Sequence, residues 1–265
     1  MGVDDVIEDH WLRTWAMAGT ASGGDVVEDD ERLVVRSGLD EFPYNQVLRC
    51  VPRGDPDAVI DGILETIGGR PGPWIVWPSS RPADLAERLG ARGCAFYTTM
   101  TGMWRELDAG AIGPPPPADV RITEVDSDLL PVWSDLVLDQ WHLEARVRDA
   151  LLAMHREVGF ETARRFLAMD GQAPIAKATM VMHEPDVVGI YGVGTRPEAR
   201  GCGIASALTA HLLEHGRTSG ARTAVLHSTP MAVKVYGNLG FTEAFTAPVF
   251  ELPHAPAGSD RLSSL

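Results

Sequence analysis

Cysteine is scarce. Cys50, Cys94 and Cys202 are the only three in 265 residues. They are odd in number and widely spaced, which excludes a disulfide framework and a zinc-type cysteine pattern. Basic residues are outnumbered, leaving a net charge of −14. A surface of that sign argues against nucleic acid as a partner and favours cationic ligands at the level of steering, an amine-bearing substrate among them. No apolar run approaches the ~20 residues that cross a bilayer, so no membrane partner is expected. The first residues include Asp4, Asp5, Glu8 and Asp9, without the basic and apolar regions of a signal peptide. These absences predict a cytoplasmic protein. There is also no long polar tract, and the hydrophobic fraction of 45% suits a globular chain. The length allows one large domain or two of ordinary size.

What is present reads as two α/β patterns in series. Val3 to Ala18 has the spacing of an amphipathic helix, with acids at its favourable end. Asp25 to Arg36 reads as a hairpin whose acidic turn, Glu28 to Glu31, is a solvated turn. Strands are expected at 45–51, 74–77 and 96–105, and helices at 57–67 and 82–89. Trp74 and Trp77 read as core. Pro114 to Pro117 are four consecutive prolines, a semi-rigid spacer. Beyond them strands are expected at 120–125, 162–169, 174–182, 187–195, 223–227 and 241–252. Helices are expected at 128–140, with Asp126 or Ser127 as cap, at 146–158, after residue 203, and at 232–238. The tail from Pro253 reads as loose.

One stretch organises the second pattern. The β-rich run Val187 to Val193 enters a short loop, Gly194-Thr195-Arg196-Pro197-Glu198-Ala199-Arg200-Gly201-Cys202-Gly203. A helical stripe of Ile204, Ala205, Leu208 and Leu212 leaves it. A helix start offers unpaired N–H groups and the positive end of the helix dipole, and glycine lets a ligand approach the backbone. Strand, glycine loop and helix together predict a pyrophosphate site. The Lys-Ser/Thr ending of the NTPase loop is missing, and so is the three-glycine dinucleotide fingerprint. Cys202 reads as a tolerated small residue.

Arg200-Gly201-Cys202-Gly203-Ile204-Ala205, led by Pro197, resembles the acyl-CoA loop of the GNAT N-acyltransferases, written Arg/Gln-x-x-Gly-x-Gly/Ala. Tyr236, followed by Gly240-Phe241, is similar to that family's Tyr-x-x-x-Gly-Phe segment, and the order of elements over 119–252 is similar as well. Thr229 stands where the family often has asparagine. The resemblance implies a mixed, mostly antiparallel sheet flanked by helices. It implies acetyl-CoA as co-substrate, no metal, and direct acyl transfer to an amine. Val193, Gly194, Thr195, Arg200, Gly201, Cys202, Gly203, Ile204 and Ala205 would hold the donor. A backbone N–H near Val193 would polarise the thioester, and Tyr236 would be the general acid. The acceptor, a small-molecule amine or a protein lysine, would lie near Trp141, His142 and Glu144, with His227 a further candidate. Which group accepts the amine's proton stays open among His227, Glu144 and His142. The first half echoes the same plan without the loop, ending in Gly93-x-x-Phe96. The expected division is a degenerate GNAT-like domain over 1–110, a linker over 111–118, the transferase domain over 119–252 and a tail over 253–265. A homodimer is left open.

Two other readings exist. His211-x-x-Glu214-His215 fits a His-x-x-Glu-His zinc pattern, which would need a third ligand. The chain could also bind acyl-CoA without catalysis, as a sensor or as a partner-binding protein.

Overall fold

Short local signals set the first strands. Asp29 accepts the N–H groups of Glu31 and Arg32 on its carboxylate at 2.9 and 3.0 Å. This turns the chain between β1 (Asp25–Glu28) and β2 (Arg32–Arg36), which pair antiparallel. The computed structural model describes residues 2–108 and 113–254. Part of the proline-rich linker, residues 111 and 112, and the tail from residue 255 therefore lie outside the described residues.

Before the hairpin lies α1 (Val3–Ala21). After it come β3 (Gln46–Cys50), α2 (Pro56–Ile67), β4 (Pro73–Ile75), α3 (Leu85–Ala91) and β5 (Ala95–Glu106). Helix α2 shows how closely sequence dictates the ends. Asp55 caps Asp57 N–H at 3.0 Å, Pro56 opens the first turn, and Gly68 ends the helix at φ +65°. The second half runs β6 (Val120–Glu124), α4 (Leu130–Trp141), α5 (Arg148–Val158), β7 (Ala163–Asp170), β8 (Ala173–Glu184) and β9 (Val187–Thr195). It continues with α6 (Ile204–Thr218), β10 (Thr223–Ser228), α7 (Val233–Gly237) and β11 (Thr242–Glu251). Asp126 accepts the N–H groups of Asp128 and Leu129 ahead of α4, both at 3.0 Å.

The eleven strands of the described residues form one sheet, ordered β1-β2-β3-β4-β11-β5-β10-β9-β8-β7-β6. Only β3/β4 and β9/β10 are parallel pairs. The two halves repeat one plan: antiparallel strands, a parallel pair, then a closing antiparallel strand. Each closing strand comes from the other half. β11 closes on β4, and β5 closes on β10. β5 and β11 also pair with each other along most of their length. The halves are thus joined by exchange of their last strands.

Side-chain alternation divides the core. On β7, Phe166 and Ala168 join the cluster of Leu208 and Leu212 from α6, while Leu167 and Met169 join α4 and α5. On β2, Val34 packs with α2 and α3, and Leu33 and Val35 pack with Leu12 of α1. Helices α1, α4 and α5 therefore cover one face, and α2, α3 and α6 the other. Trp74 and Trp77 are core, 1% and 2% exposed.

Gly72, ahead of β4, has no room for a side chain. A Cβ there would stand 1.8 Å from the Asn45 carbonyl oxygen. Asn45 is itself fixed, bonding Ser37 N–H at 2.9 Å and the Pro71 carbonyl at 3.0 Å. Gly72→Ala should cost about 3 kcal/mol, the upper end of ordinary overpacking. The melting point should fall by roughly 5–10 °C in calorimetry. An unchanged melting point would show that this approach is not constrained.

Candidate active site

β9 delivers the chain to the glycine loop. After a 3-10 turn at Pro197–Ala199, Gly201 and Gly203 both adopt φ +77°, a region that side chains of L residues avoid. Nothing stands within 4 Å of where a Cβ would lie at either glycine, so the outer side of the loop is open. Arg200 folds the loop back by donating from Nε to the Thr195 carbonyl at 3.2 Å. The first helical bond of α6 runs from Ala207 N–H to the Gly203 carbonyl at 3.0 Å. The N–H groups before it are those a helix start leaves unpaired, with the dipole of a 15-residue helix behind them. Ile204 turns into the core, Ala205 is half-buried, and Cys202 is exposed. An open glycine loop on a helix start is a fitting cradle for a pyrophosphate.

Along its outer edge, β9 pairs with β8, Gly194 against Lys177 and Thr195 against Ala176. The register shifts between Lys177 and Thr179, so β9 bulges near Gly192, whose φ is +58°. Lys177 Nζ donates to the Gly192 carbonyl at 2.9 Å. The same peptide unit carries the Val193 N–H on its opposite side. On the inner edge, β9 pairs with β10 only from Val187/Thr223 to Ile190/Leu226. Pairing then ends, although β9 runs on to Thr195 and β10 to Ser228. A notch between the two strands begins there.

Tyr236 lies on α7, in the core cluster that contains Ile204, Leu208 and Leu239. Its ring is 8% exposed and sits edge-on to Phe241 at 6.0 Å. Burial pushes the phenol up to about 12. Its hydroxyl has no hydrogen-bond partner among the described residues. The turn that starts α7 is closed by Ala232 N–H on the Thr229 carbonyl at 3.0 Å.

On the α1/α4/α5 face lies a cleft of about 570 Å³. Trp11 and Trp15 of α1, Trp133 and Trp141 of α4, and Tyr191 of β9 form much of its wall. It reaches the notch at Gly192 and at Thr229 to Met231. No Asp or Glu among the described residues lines it, despite the net charge of −14. The acidic surface therefore says nothing about the inside of this cleft.

Of the acceptor-side candidates, Trp141 lines the cleft. His142 and Glu144 do not. Both are exposed, His142 ending α4 at φ +49° and Glu144 accepting Arg146 Nε at 2.7 Å. His227 is enclosed under α1, its ring 4.5 Å from Trp11, 5.3 Å from Trp77 and 6.3 Å from Phe245. Burial, with help from His10, pushes it down to about 3, and neither ring nitrogen has a partner among the described residues. Sequence reasoning missed Lys177, Tyr191, Trp11 and Trp133. The only available signal was Lys177, a lone charge inside the apolar run 174–182.

His211 and His215 both pack on Phe166, at 5.4 and 5.5 Å, and Glu214 is taken up by Arg217. Among the described residues no three His, Cys, Asp or Glu are grouped to hold a metal. No helix of the described residues is long and apolar enough to cross a membrane.

Residues 128–241 match the acetyltransferase (GNAT) family. Over that region the chain is similar to the family. A mycothiol acetyltransferase of Actinosynnema mirum is 31% identical over 179 residues, 64% of this chain. The match spans 59% of that relative's length. A GCN5-related N-acetyltransferase from Kribbella flavida superposes with a TM-score of 0.64 at 19% identity, covering 92% of this chain and 96% of its own. A tandem GNAT protein from the clavulanic acid biosynthesis pathway superposes with a TM-score of 0.59 at 16% identity, covering 97% and 98%. At these identities the superpositions show fold alone. The matched region, residues 128–241, contains the glycine loop, the notch and Tyr236.

Proposed function

We propose that the chain is an acetyl-CoA-dependent N-acetyltransferase that passes the acyl group directly to a small amine in a ternary complex. One observation carries this reading: β9 and β10 stop pairing at Ile190/Leu226, between the open glycine loop and a cleft that reaches Gly192 and Thr229. A thioester in the notch would have its phosphates at residues 200–205 and its carbonyl near Val193 N–H. An amine in the cleft would meet it there.

The reaction forms a C–N bond and breaks the C–S bond. The amine nitrogen attacks the thioester carbonyl, whose oxygen gains charge and is stabilised by the Val193 N–H. Lys177 holds that peptide from its carbonyl side. The departing sulfur takes a proton from the Tyr236 hydroxyl, which burial keeps protonated at neutral pH. The amine's proton leaves to solvent, and Tyr236 recovers its own.

In this reading residues 1–110 are a degenerate GNAT-like half, 111–118 a linker and 119–252 the transferase half. The repeated strand plan supports it, and the first half has no glycine loop. A cleft of about 570 Å³ with largely apolar walls favours a small acceptor over a protein lysine. Three free thiols suit a reducing, cytoplasmic setting.

Calorimetric titration tests the donor site. Acetyl-CoA and free CoA should each bind once per chain. Two sites would give the first half a donor site of its own. Absence of binding would end the reading.

A further inference from the structure

Most of the described arginines outside the cleft meet a carboxylate. Arg13, Arg32, Arg36, Arg49, Arg88 and Arg148 are examples. Two cations that line the cleft do not. Arg165 is 1% exposed and Lys177 is 2% exposed. Among the described residues no carboxylate stands within ion-pair distance of either. They flank one ring: Lys177 Nζ lies 5.2 Å and Arg165 Cζ 5.6 Å from the centre of Trp133.

Their donors are not all taken. Arg165 bonds the carbonyls of Gly159, Ala163 and His155 and contacts His155 Nδ1, but its Nε has no partner. His155 Nε2 is also buried and unpartnered. An ammonium has three donors, and Lys177 gives one, to Gly192. Burial holds Lys177 down to about 7 and Arg165 down to about 10. Buried positive charge without a counter-charge is unfavourable, and an anion placed against it removes that cost.

The rest of the cleft specifies the body that carries the anion. Its walls are largely aromatic and apolar. The two large apolar side chains most exposed on the described residues, Phe96 at 62% and Met231 at 70%, both belong to its lining. A long acyl chain on the donor would account for apolar walls and leave the cations unexplained. An acceptor with several positive charges would meet like charge inside.

Lys177 bonds the carbonyl of the peptide whose N–H faces the thioester in the reading above, so a carboxylate on Lys177 would hold its carrier close to that peptide.

We propose that the acceptor is an amino acid with a large apolar side chain, its carboxylate held by Lys177 against the Trp133–Arg165 stack. This rests on the assignment of the cleft as the acceptor side.

The test needs no donor. L-phenylalanine, 3-phenylpropionate and phenethylamine are titrated into the protein and into Lys177→Met by calorimetry. Both carboxylates should bind wild type at least tenfold more tightly than phenethylamine. Lys177→Met should lose that difference, and Lys177→Arg should keep part of it. The Met variant should melt no lower than wild type, since it replaces an unpaired buried cation by an apolar chain of similar length. Equal or tighter binding of phenethylamine to wild type would overturn the proposal, as would a preference that survives in Lys177→Met. Titration of acetyl-CoA into the same samples separates the two readings. Donor binding without carboxylate preference refutes only the acceptor class. Carboxylate preference without donor binding refutes only the transferase.

Discussion

Tyr236→Phe should lower kcat by about 10²–10³-fold, within the range that positioned general acids contribute. The affinity for acetyl-CoA should stay within a factor of two. The argument is one of position and protonation. The ring is held by Phe241 and by the core cluster of α6, so removing the hydroxyl leaves the packing as it was. The hydroxyl makes no protein hydrogen bond among the described residues, so its loss orphans no partner. Stability should therefore change little. Burial pushes the phenol up to about 12, which keeps the proton in place until sulfur develops charge. Steady-state kinetics at saturating acetyl-CoA, beside calorimetric Kd values, would check this. An unchanged kcat would remove Tyr236 from the chemistry. A large change in Kd would make it a binding residue instead.

Gly203→Trp should weaken acetyl-CoA by at least a factor of about 100, a loss of ~2.7 kcal/mol or more. At Gly203 nothing lies within 4 Å of a built Cβ. A side chain there enters open space and not the protein, and that space is where the phosphates would sit. The same position has φ +77°, so any side chain also pays strain of roughly 1–2 kcal/mol. The melting point should drop by a few degrees and the fold should persist. Calorimetric titration and thermal unfolding of the same sample separate the effects. Retained affinity in a folded variant would show that the phosphates lie elsewhere.

Local chemistry was legible in the sequence. Asp29 in the acidic turn, the cap candidate Asp126 and the glycine pair Gly201/Gly203 mark a turn, a helix start and the loop, and each does in the fold what its chemistry favours. The limits were read less well where prolines and serines crowd together. β4 stops at Ile75 and α3 starts at Leu85, because Pro78 to Pro82 hold the chain in turns. The first turn of the helix expected from 146 is a 3-10 turn, and α5 begins at Arg148. What periodicity cannot carry is which strands become neighbours. Nothing in Ala95–Glu106 says that it will lie between β10 and β11. The cleft was hidden for the same reason. Trp11, Trp133, Lys177 and Tyr191 come from four elements and meet only once the sheet is complete. Net charge could not help here, since an average over the surface does not describe a cleft whose described lining has no acid.

The exchange of closing strands bears on how the chain is made. When β5 leaves the ribosome, neither of its neighbours exists, because β10 and β11 both follow the proline run. Until then its two edges are open to any strand that arrives, including a β5 from another nascent chain. The first half therefore has to wait, incomplete, for the last segment of the second. Cutting the gene at the prolines would not yield two independent proteins. It would yield two parts, each missing the strand that the other holds.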